Sequence, residues 1–242
     1  MPLPFLTAEW RHLVMLNFEI TREALLPFVP RHTALDLWQG RTLISLVGFQ
    51  FLRTRVAGIV PLPVHQAFEE VNLRFYVTRT TPDGAIRRGV VFVRELVPKT
   101  LVALAARLTY NEPYRAVPMR SQVPPQVTHA PGRVQYEWKV DGAWQGIAAT
   151  AVGTAAIPSA DSEAAFITEH YWGYGRLRDG RTVEYEVTHA PWRVWDAANA
   201  AFSGNAAALY DAPFVDALTR PPSSAFIAEG SAVTVHSAVA LS

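Results

Sequence analysis

The sequence predicts a mainly β (β-rich α+β) fold, and three observations carry that prediction. Three Asp-Gly pairs, at residues 83–84, 141–142 and 179–180, lie between segments rich in β-branched and aromatic residues. Asp-Gly is the strongest short hairpin signal, because both central residues of a type I′ turn have positive φ. The segments 42–52 (TLISLVGFQFL) and 89–93 (GVVFV) are apolar throughout, which is typical of strands that are covered on both faces or closed into a barrel. The helical segments are few and short.

Four helical segments are expected. TREALLPFVP has Thr21 as an N-cap candidate and ends at prolines, and PKTLVALAARLTY has Pro98 as a suitable first helical residue. SADSEAAFITEHY offers Asp161 or Ser162 as a cap. GNAAALYDAPFVDAL is expected to form two pieces that separate near Pro213, because proline breaks the helical hydrogen-bond pattern.

Composition and charge exclude several classes of protein. Half of the 242 residues are hydrophobic, so the chain can bury a sizeable core, and we expect a single domain over residues 1–242. Acidic and basic residues are interspersed and the net charge is +1, which argues against nucleic acid as a partner. No stretch approaches the roughly 20 apolar residues that cross a bilayer, so no membrane partner is expected. The opening MPLPFLTAEWRH does not resemble a secretion signal, so we expect a cytoplasmic location.

The residue types also limit the chemistry. There is no cysteine, so any nucleophile must be oxygen or nitrogen. The sequence has no Gly-x-Ser-x-Gly elbow, Walker loop or His-Glu-x-x-His motif, and GYGRLRDG lacks the spacing of a dinucleotide fingerprint. Seven histidines are scattered without the i, i+2 or i, i+4 pairing that marks many metal sites. We therefore expect neither a metal nor a cofactor.

A row of polar residues follows one predicted strand. In EEVNLRFYV, the alternation places Val71 and its apolar neighbours on one face, and Glu70, Asn72 and Arg74 on the other. If the polar face looks into a closed barrel, these groups and Glu69 would bind and orient a small polar ligand. If it looks outward, they form a solvated face with cross-strand pairs. The sequence leaves both readings open.

Lys99 is one of only two lysines in the chain and falls at the predicted start of a helix. The free N–H groups at a helix N-terminus disfavour an ammonium group, and Arg94 lies just before it, so both favour a neutral amine. A desolvated neutral lysine can attack a carbonyl group and form a Schiff base. The alternative is that the side chain reaches water and keeps an ordinary charge. Lys139 alternates with polar residues in VQYEWKV and is expected at the surface.

The aromatic cluster EHYWGYGRL could line a pocket around His170, with Tyr171 and Trp172 as further ligand contacts. Ordinary core packing beside a hairpin uses the same residue types. Both interpretations remain open at this point.

Several segments together resemble the YqjF-like proteins, a family described as domain of unknown function 2071. These are WRHLVMLNFEITREALLPFVP, ALDLWQGRTLISLVGF, FEEVNLRFYV, RRGVVFVRELVPKTLVALAARLTYNEPY and TEHYWGYGRLRDGRTVEYEVTHAPWRVW. The family is grouped with the acetoacetate decarboxylase-like superfamily. The resemblance implies a single closed antiparallel β-barrel or cone with a few short peripheral helices and a ligand cavity inside.

The sequence also resembles acetoacetate decarboxylase at two places. Arg11, ahead of FVP, matches an arginine that opens the first strand of that enzyme, and RELVPKT matches its Arg-Glu-Leu strand end followed by Pro-Lys-Lys. This implies that Lys99 is the Schiff-base amine. Thr100 replaces the second lysine, the gap to Pro-Lys is two residues shorter, and LISLVGF lacks the carboxylate that the enzyme carries on that strand.

These features predict a protein that takes a small organic acid or carbonyl compound in a barrel cavity, as a decarboxylase-like Schiff-base lyase. Arg11 would bind the substrate carboxylate, Glu69 or Glu70 would handle protons, and Arg94 would keep the Lys99 amine neutral. Asn72, Arg74, His170, Tyr171 and Trp172 would complete the ligand site. The alternatives are a non-catalytic binding or sensing protein and a scaffold whose barrel is filled by its own side chains. The sequence leaves open whether the chain forms homo-oligomers.

Overall fold

The computed structural model describes residues 4–56, 60–61, 67–98, 113–124 and 132–241. Strands dominate this part of the chain, as predicted. The strands are β1 (Pro4–Ile20), β2 (Ala34–Leu35), β3 (Thr42–Val56), β4 (Val60–Pro61), β5 (Phe68–Thr80), β6 (Ile86–Val97), β7 (Tyr114–Ala116), β8 (Met119–Gln122), β9 (Arg133–Val140), β10 (Ala143–Ala156), β11 (Trp172–Arg176), β12 (Thr182–His189), β13 (Val194–Ser203), β14 (Ser224–His236) and β15 (Val239–Ala240).

The helices within the described residues are short. They are α1 (Arg22–Leu25), α2 (Glu163–Thr168) and α3 (Ala212–Leu218), with 3-10 turns at Leu26–Phe28 and Ala206–Ala208. Thr21 is the N-cap residue of α1, and Ser162 caps α2 by accepting a hydrogen bond from the Ala165 amide at 3.1 Å. Pro213 lies in the first turn of α3, after the predicted break. The helix predicted from Pro98 to residue 110 lies almost wholly outside the described residues.

Within the described ranges, no helix combines the length and the apolar character that a bilayer crossing requires.

All three Asp-Gly pairs connect antiparallel neighbours, joining β5 to β6, β9 to β10 and β11 to β12. Only one of them is the predicted two-residue turn with two positive φ angles, 50° at Asp141 and 83° at Gly142. In the other two, only Gly84 and Gly180 have positive φ, and each glycine amide bonds back to the carbonyl of the third residue before it. The hairpin prediction is confirmed, and the type I′ prediction is right at one turn of three.

The strands form one large mixed sheet. Most of the pairings are antiparallel, whereas two of them, β11 with β6 and β6 with β7, are parallel, so the sheet is mixed. Strand β12 pairs with both β11 and β14. The path β12-β11-β6-β5-β3-β1-β14 therefore returns to β12, and we call these seven strands the ring. Strands β13, β10, β9 and β8 continue from β14 as an extension.

The ring buries side chains on both faces. Its outer face packs against β9, β10 and α3, in a core that includes Leu16, Leu46, Leu73, Trp138 and Phe214. Its inner face carries a second cluster drawn from several ring strands and from α2, including Met15, Val47, Tyr76, Phe166 and Phe226. In a third cluster, Phe92 of β6, Trp10 of β1 and Val187 of β12 lie together although their strands are not neighbours in the ring. The polar row of β5 is thus on the inner face.

The contact between β1 and β14 depends on Gly230. Its φ is +79°, and an added Cβ would lie 1.9 Å from the carbonyl oxygen of Trp10. Only glycine fits such a backbone approach without strain. Opposite this position, β1 is irregular between Arg11 and Val14, and His12 has a φ of 57°. This irregularity lets both Trp10 and Leu13 face the inner cluster.

Candidate functional site

Four buried polar residues stand on neighbouring strands of the inner face. Glu70, Asn72 and Arg74 follow one another on β5, and Glu95 on β6 is the cross-strand partner of Asn72. Their exposed fractions are 3%, 2%, 8% and 1%. Burying an ionised side chain costs several kcal/mol unless partners compensate. A strand that only closed a core would carry apolar residues here, so this cluster is the first candidate for function.

Some polar atoms of this cluster have hydrogen-bond partners and others have none. Asn72 Nδ2 donates to Glu70 Oε1 at 3.0 Å, and the Tyr114 hydroxyl donates to Glu70 Oε2 at 3.3 Å. Among the described residues, Arg74 Nε and Asn72 Oδ1 have no hydrogen-bond partner although both atoms are buried. No carboxylate of the described chain forms an ion pair with Arg74; its guanidinium carbon lies 5.9 Å from the ring centre of Tyr76. Buried polar groups are rarely left in this state.

A histidine and an aspartate meet at the end of the ring beside α2. His170 Nε2 lies 3.1 Å from Asp36 Oδ2, and Arg88 Nε donates to the same oxygen at 2.8 Å. The His170 ring is 4.7 Å from the ring of Tyr76 and 5.2 Å from that of Phe166, between ring centres. Its side chain is 1% exposed. Within the described residues, its Nδ1 is buried without a partner.

The charges of this pair follow from its surroundings. Burial lowers the pKa of His170 to about 4, and the hydrogen bond that His170 donates to Asp36 offsets only part of that effect. Burial would raise the pKa of Asp36, but hydrogen bonds from His170 and Arg88 outweigh it and the pKa is lowered. Near neutral pH, Asp36 is thus ionised and His170 neutral. An ionised carboxylate only accepts hydrogen bonds, so the proton of the imidazole is on Nε2 and Nδ1 is a bare acceptor.

A chain of hydrogen bonds fixes Tyr76 between these groups. Its hydroxyl lies 2.5 Å from Ser45 Oγ, and Ser45 donates to Asn17 Oδ1 at 2.6 Å, so Tyr76 is the donor to Ser45. Asn17 Nδ2 donates to Ser224 Oγ at 2.9 Å, and Ser224 bonds to Glu163. The first three side chains of this hydrogen-bond chain, Tyr76, Ser45 and Asn17, are buried. It holds the Tyr76 ring in place as a platform for Arg74 and His170.

Aromatic rings line the part of the inner face near β1. Trp10 contacts Phe49 and Phe51 at ring-centre distances of 5.2 and 5.7 Å. Trp192 stacks on His189 at 4.2 Å, and His189 meets Tyr171 at 4.7 Å. Tyr171 bonds to Glu169 through its hydroxyl, and burial together with that carboxylate raises its pKa. The predicted ligand residue Tyr171 therefore belongs to this aromatic wall, at its half-buried edge.

Four of the other predicted residues are placed away from the inner face. Glu69 is on the opposite face of β5 from Glu70, where it accepts a hydrogen bond from Ser121 at 2.9 Å. Arg11 is on the opposite face of β1 from Trp10; it bonds to Glu9 at 3.1 Å and to the Gly230 carbonyl at 3.1 Å.

Arg94 and Trp172 are on the outer face of the ring. Arg94 is opposite Leu73 in the register of β5 and β6, and its charge acts on the buried Tyr210. Trp172 packs against the outer core, under the guanidinium of Arg87 at 3.9 Å. Lys99 lies outside the described residues, and its contact with Arg94 stays a prediction.

Three residues of the inner face were not predicted as site residues. Glu95 could not be found from the alternation of VVFVREL, which places Arg94 on the face of Phe92. The register of β6 against β5 shifts between Phe92 and Arg94, and this irregularity brings Glu95 to the inner face instead. Asp36 in ALDLW and Tyr114 in EPYRA carry no local signal, since both reach the inner face through pairings with distant strands. No group of three or more histidine, aspartate or glutamate side chains in the described part of the chain is arranged to hold a metal ion.

Three solved structures share this fold over almost the whole chain. The enduracididine biosynthesis enzyme MppR complexed with pyruvate is 14% identical, with a TM-score of 0.68 over 100% of this chain and 91% of that one. An acetoacetate decarboxylase from Legionella pneumophila is 10% identical, with a TM-score of 0.68 over 98% and 87%. An acetoacetate decarboxylase-like enzyme from Sphingomonas wittichii RW1 is 14% identical, with a TM-score of 0.64 over 98% and 92%. At these identities the likeness concerns the fold.

Sequence comparison places the chain in a family. The uncharacterized protein YqjF of Bacillus subtilis (strain 168) is 27% identical over 113 residues, which cover 47% of this chain and 45% of YqjF. The match thus spans less than half of that relative's length. A family model described as "Uncharacterized conserved protein (COG2071)" matches residues 7–232. The chain therefore belongs to this family, DUF2071, and its fold is that of the acetoacetate decarboxylase-like enzymes.

Proposed function

We propose that the inner face of the ring binds a small organic acid or carbonyl compound and that the protein is a decarboxylase-like Schiff-base lyase. The buried cluster of Glu70, Asn72, Arg74 and Glu95 carries the proposal. It gathers two carboxylates, an amide and a guanidinium where a purely structural core would be apolar. The proposal also takes the ring to be a closed barrel with a ligand cavity inside, as the resemblance implies.

The fold neighbours support the substrate class. One of them was solved with pyruvate bound, and another is an acetoacetate decarboxylase. Both names concern small keto acids. A chain with the same fold and a buried guanidinium is suited to a ligand of that kind, because arginine binds carboxylates in a bidentate manner.

Lys99 is the proposed nucleophile. The inner-facing residues Glu95 and Val97 are at the end of β6, and Lys99 follows Val97 by two positions. Since consecutive Cα atoms are about 3.8 Å apart, its Cα is within roughly 7.6 Å of that of Val97. A lysine side chain adds about 6 Å of reach from there. This covalent limit leaves the cluster within reach of a Lys99 amine that turns inward, as the proposal requires.

In the proposed reaction on a β-keto acid, the neutral amine attacks the ligand carbonyl, a proton is taken up, water leaves, and an iminium forms. When the bond to the carboxylate carbon breaks, its electron pair moves to the iminium nitrogen, carbon dioxide departs, and an enamine remains. Glu70 in its protonated form then supplies a proton to the enamine carbon. Hydrolysis of the resulting iminium frees the ketone, Lys99 and one proton, which returns to Glu70. Glu70 takes the proton-handling role, and Glu69, on the other face, has none.

Arg74 takes the role that the resemblance implied for Arg11. Arg11 is already bonded to Glu9 and to a backbone carbonyl, and its side chain is 32% exposed. Arg74 is buried and has no ion-pair partner among the described residues. A ligand carboxylate bound to Arg74 would compensate the cost of burying the charge of Arg74. A ligand carboxylate at Arg11 would compensate no such cost, because Arg11 already has partners.

Binding without catalysis is the second candidate, and a departure in the sequence favours it. Thr100 stands where acetoacetate decarboxylase has a second lysine, so one of the groups that keep the first amine neutral is missing. The contacts from Arg74, Asn72 and Glu70 do not need Lys99. They would serve a binding or sensing protein equally well.

Borohydride trapping separates the two candidates. The protein is incubated with pyruvate or acetoacetate, reduced with sodium borohydride, digested with trypsin and analysed by mass spectrometry. A Schiff-base lyase gives a reduced adduct on peptide 95–107, with loss of cleavage after Lys99. Lys139→Arg is the matched control, because Lys139 is the only other lysine and lies at the surface. Binding with no adduct at Lys99 leaves the sensing function, and adduct on Lys139 alone contradicts the lyase.

A further inference from the structure

Two buried groups at the α2 end of the inner face need hydrogen-bond partners of opposite kinds. Arg74 Nε is a donor without an acceptor, and His170 Nδ1 is an acceptor without a donor, among the described residues. Both groups lie against the ring of Tyr76, at 5.9 Å and 4.7 Å from its centre. Both groups lie beside the same ring, and no hydrogen bond joins Arg74 Nε to His170 Nδ1.

The direction of His170 Nδ1 follows from the position of Asp36. The two ring nitrogens of an imidazole lie on different edges, so a bond from Nε2 to one side turns Nδ1 away from that side. Asp36 is at the rim of the ring, where its side chain is 15% exposed and is also bound by the half-exposed Arg88. We infer that Nδ1 faces inward, away from Asp36. The charge of Arg74 acts on the imidazole.

The charges facing this imidazole come from three elements. Asp36 follows β2, Arg88 is on β6, and Arg74 is on β5. Asp36 and Arg88 are paired with each other, so the positive charge that has no counterpart at this end is that of Arg74. An anionic group is needed beside Arg74, and a neutral hydrogen-bond donor is needed beside His170.

We propose that Arg74 and His170 form a subsite for a carboxylic acid that also carries a hydroxyl group. The carboxylate bonds to the guanidinium of Arg74, and the hydroxyl donates its proton in a hydrogen bond to His170 Nδ1. The inference deepens the proposed function, since it uses the same inner face and names the class of acid. A plain acid without the hydroxyl satisfies Arg74 but leaves Nδ1 unpaired. Leaving one buried acceptor unpaired weakens binding by roughly 10-fold or more.

Asp36 is a positioning residue in this subsite. Its carboxylate keeps the proton on Nε2 and so keeps Nδ1 free to accept. It does not touch the proposed ligand itself.

The test compares acids that differ only by a hydroxyl. Isothermal titration calorimetry measures lactate against propionate and 3-hydroxybutyrate against butyrate, on the full chain at pH 7.5. We expect at least one hydroxy acid to bind 10-fold more tightly than its deoxy counterpart. We expect His170→Phe, which keeps a ring between Tyr76 and Phe166, to lose that preference while still binding the deoxy acid. Arg74→Met should lose both acids, and His32→Asn, at an exposed histidine, should behave as wild type.

A second readout needs no variant of the site. In uniformly 15N-labelled protein, the Nδ1 resonance of His170 should shift on addition of the preferred hydroxy acid and stay within error on addition of the deoxy acid. The inference is overturned by equal affinities within both pairs, by failure of all four acids to bind, or by a hydroxyl preference that persists in His170→Phe.

The outcome is independent of the trapping experiment. A Lys99 adduct without any hydroxyl preference removes this subsite and leaves the lyase. A hydroxyl preference that depends on His170, without an adduct, keeps the subsite in a protein that binds but does not catalyse.

Discussion

Asn72 donates a hydrogen bond to Glu70 along the same strand, with Nδ2 3.0 Å from Oε1, at a place where neither side chain is exposed. The two residues are two positions apart on β5 and share the inner face, while Val71 between them packs in the outer core. The amide thus provides a hydrogen bond to an acidic side chain that solvent does not reach. Such a buried polar pair is not required by the fold alone.

Replacing Arg74 should raise stability and lower ligand binding. The guanidinium is buried without an ion pair in the described chain, so Arg74→Met removes an uncompensated charge and fills the space with an apolar side chain. We expect the free energy of unfolding to rise by about 1–2 kcal/mol in urea denaturation.

Arg79 on the same strand is the matched control. It pairs with the buried Glu184 at 3.0 Å. Arg79→Met leaves that carboxylate with Arg87 alone and should lower the free energy of unfolding by about 1–3 kcal/mol. A loss of stability in both variants would mean that Arg74 has a partner after all.

Stability should fall as the medium becomes acidic. The pKa of His170 is lowered to about 4 in the folded protein, against 6.5 as the ordinary value. Between these two values the unfolded chain binds more protons than the folded one, so the free energy of unfolding decreases as pH falls from 6.5 to 4. The contribution of His170 is roughly 3 kcal/mol. His12 and His189, whose pKa values are lowered chiefly by burial, act in the same direction.

Denaturation in urea at pH 4.5, 5.5, 6.5 and 7.5 measures this slope. His170→Phe should flatten it, and His32→Asn should not. An identical slope in His170→Phe would show that the buried imidazole does not contribute.

Gly230 should tolerate no side chain. Gly230→Ala places a methyl group against the Trp10 carbonyl oxygen at a φ of +79°, so backbone strain and a steric clash add together. We expect a loss of at least about 3 kcal/mol. Gly142→Ala is the comparison, because Gly142 has a similar φ of +83° but open space around it. That variant should lose about 1 kcal/mol. Equal losses in thermal denaturation would leave strain as the sole cause.

The local pattern predicted the strands but not what encloses them. The Asp-Gly pairs gave the three hairpins, and alternation in EEVNLRFYV grouped Glu70, Asn72 and Arg74 on one face. Alternation cannot say whether such a face meets water. The answer depends on the pairing of β12 with β14 and on the packing of α2, both of which join distant parts of the chain.

The same limit explains which site residues were missed or misplaced. Glu69 and Glu70 are adjacent, so the pleat places them on opposite faces of β5, and only the packing around the sheet decides which of these faces is the inner one. Asp36 reaches His170 across 134 positions of sequence, with no motif at either end. Arg11 matched a family pattern, but it is satisfied by Glu9 and Gly230, a contact that depends on the β1–β14 register.

The central claim is that Arg74 and Lys99 act on one ligand, and it is tested most directly by comparing two trapping reagents. Pyruvate carries a carboxylate and a carbonyl group, whereas acetone carries the carbonyl group alone. We predict that Arg74→Met reduces borohydride trapping of pyruvate on peptide 95–107 at least 10-fold and leaves trapping of acetone within 2-fold of wild type, because Arg74 holds only the carboxylate. Arg94→Met, at a half-buried arginine on the outer face, should change neither. Equal trapping of pyruvate by wild type and Arg74→Met would contradict the account.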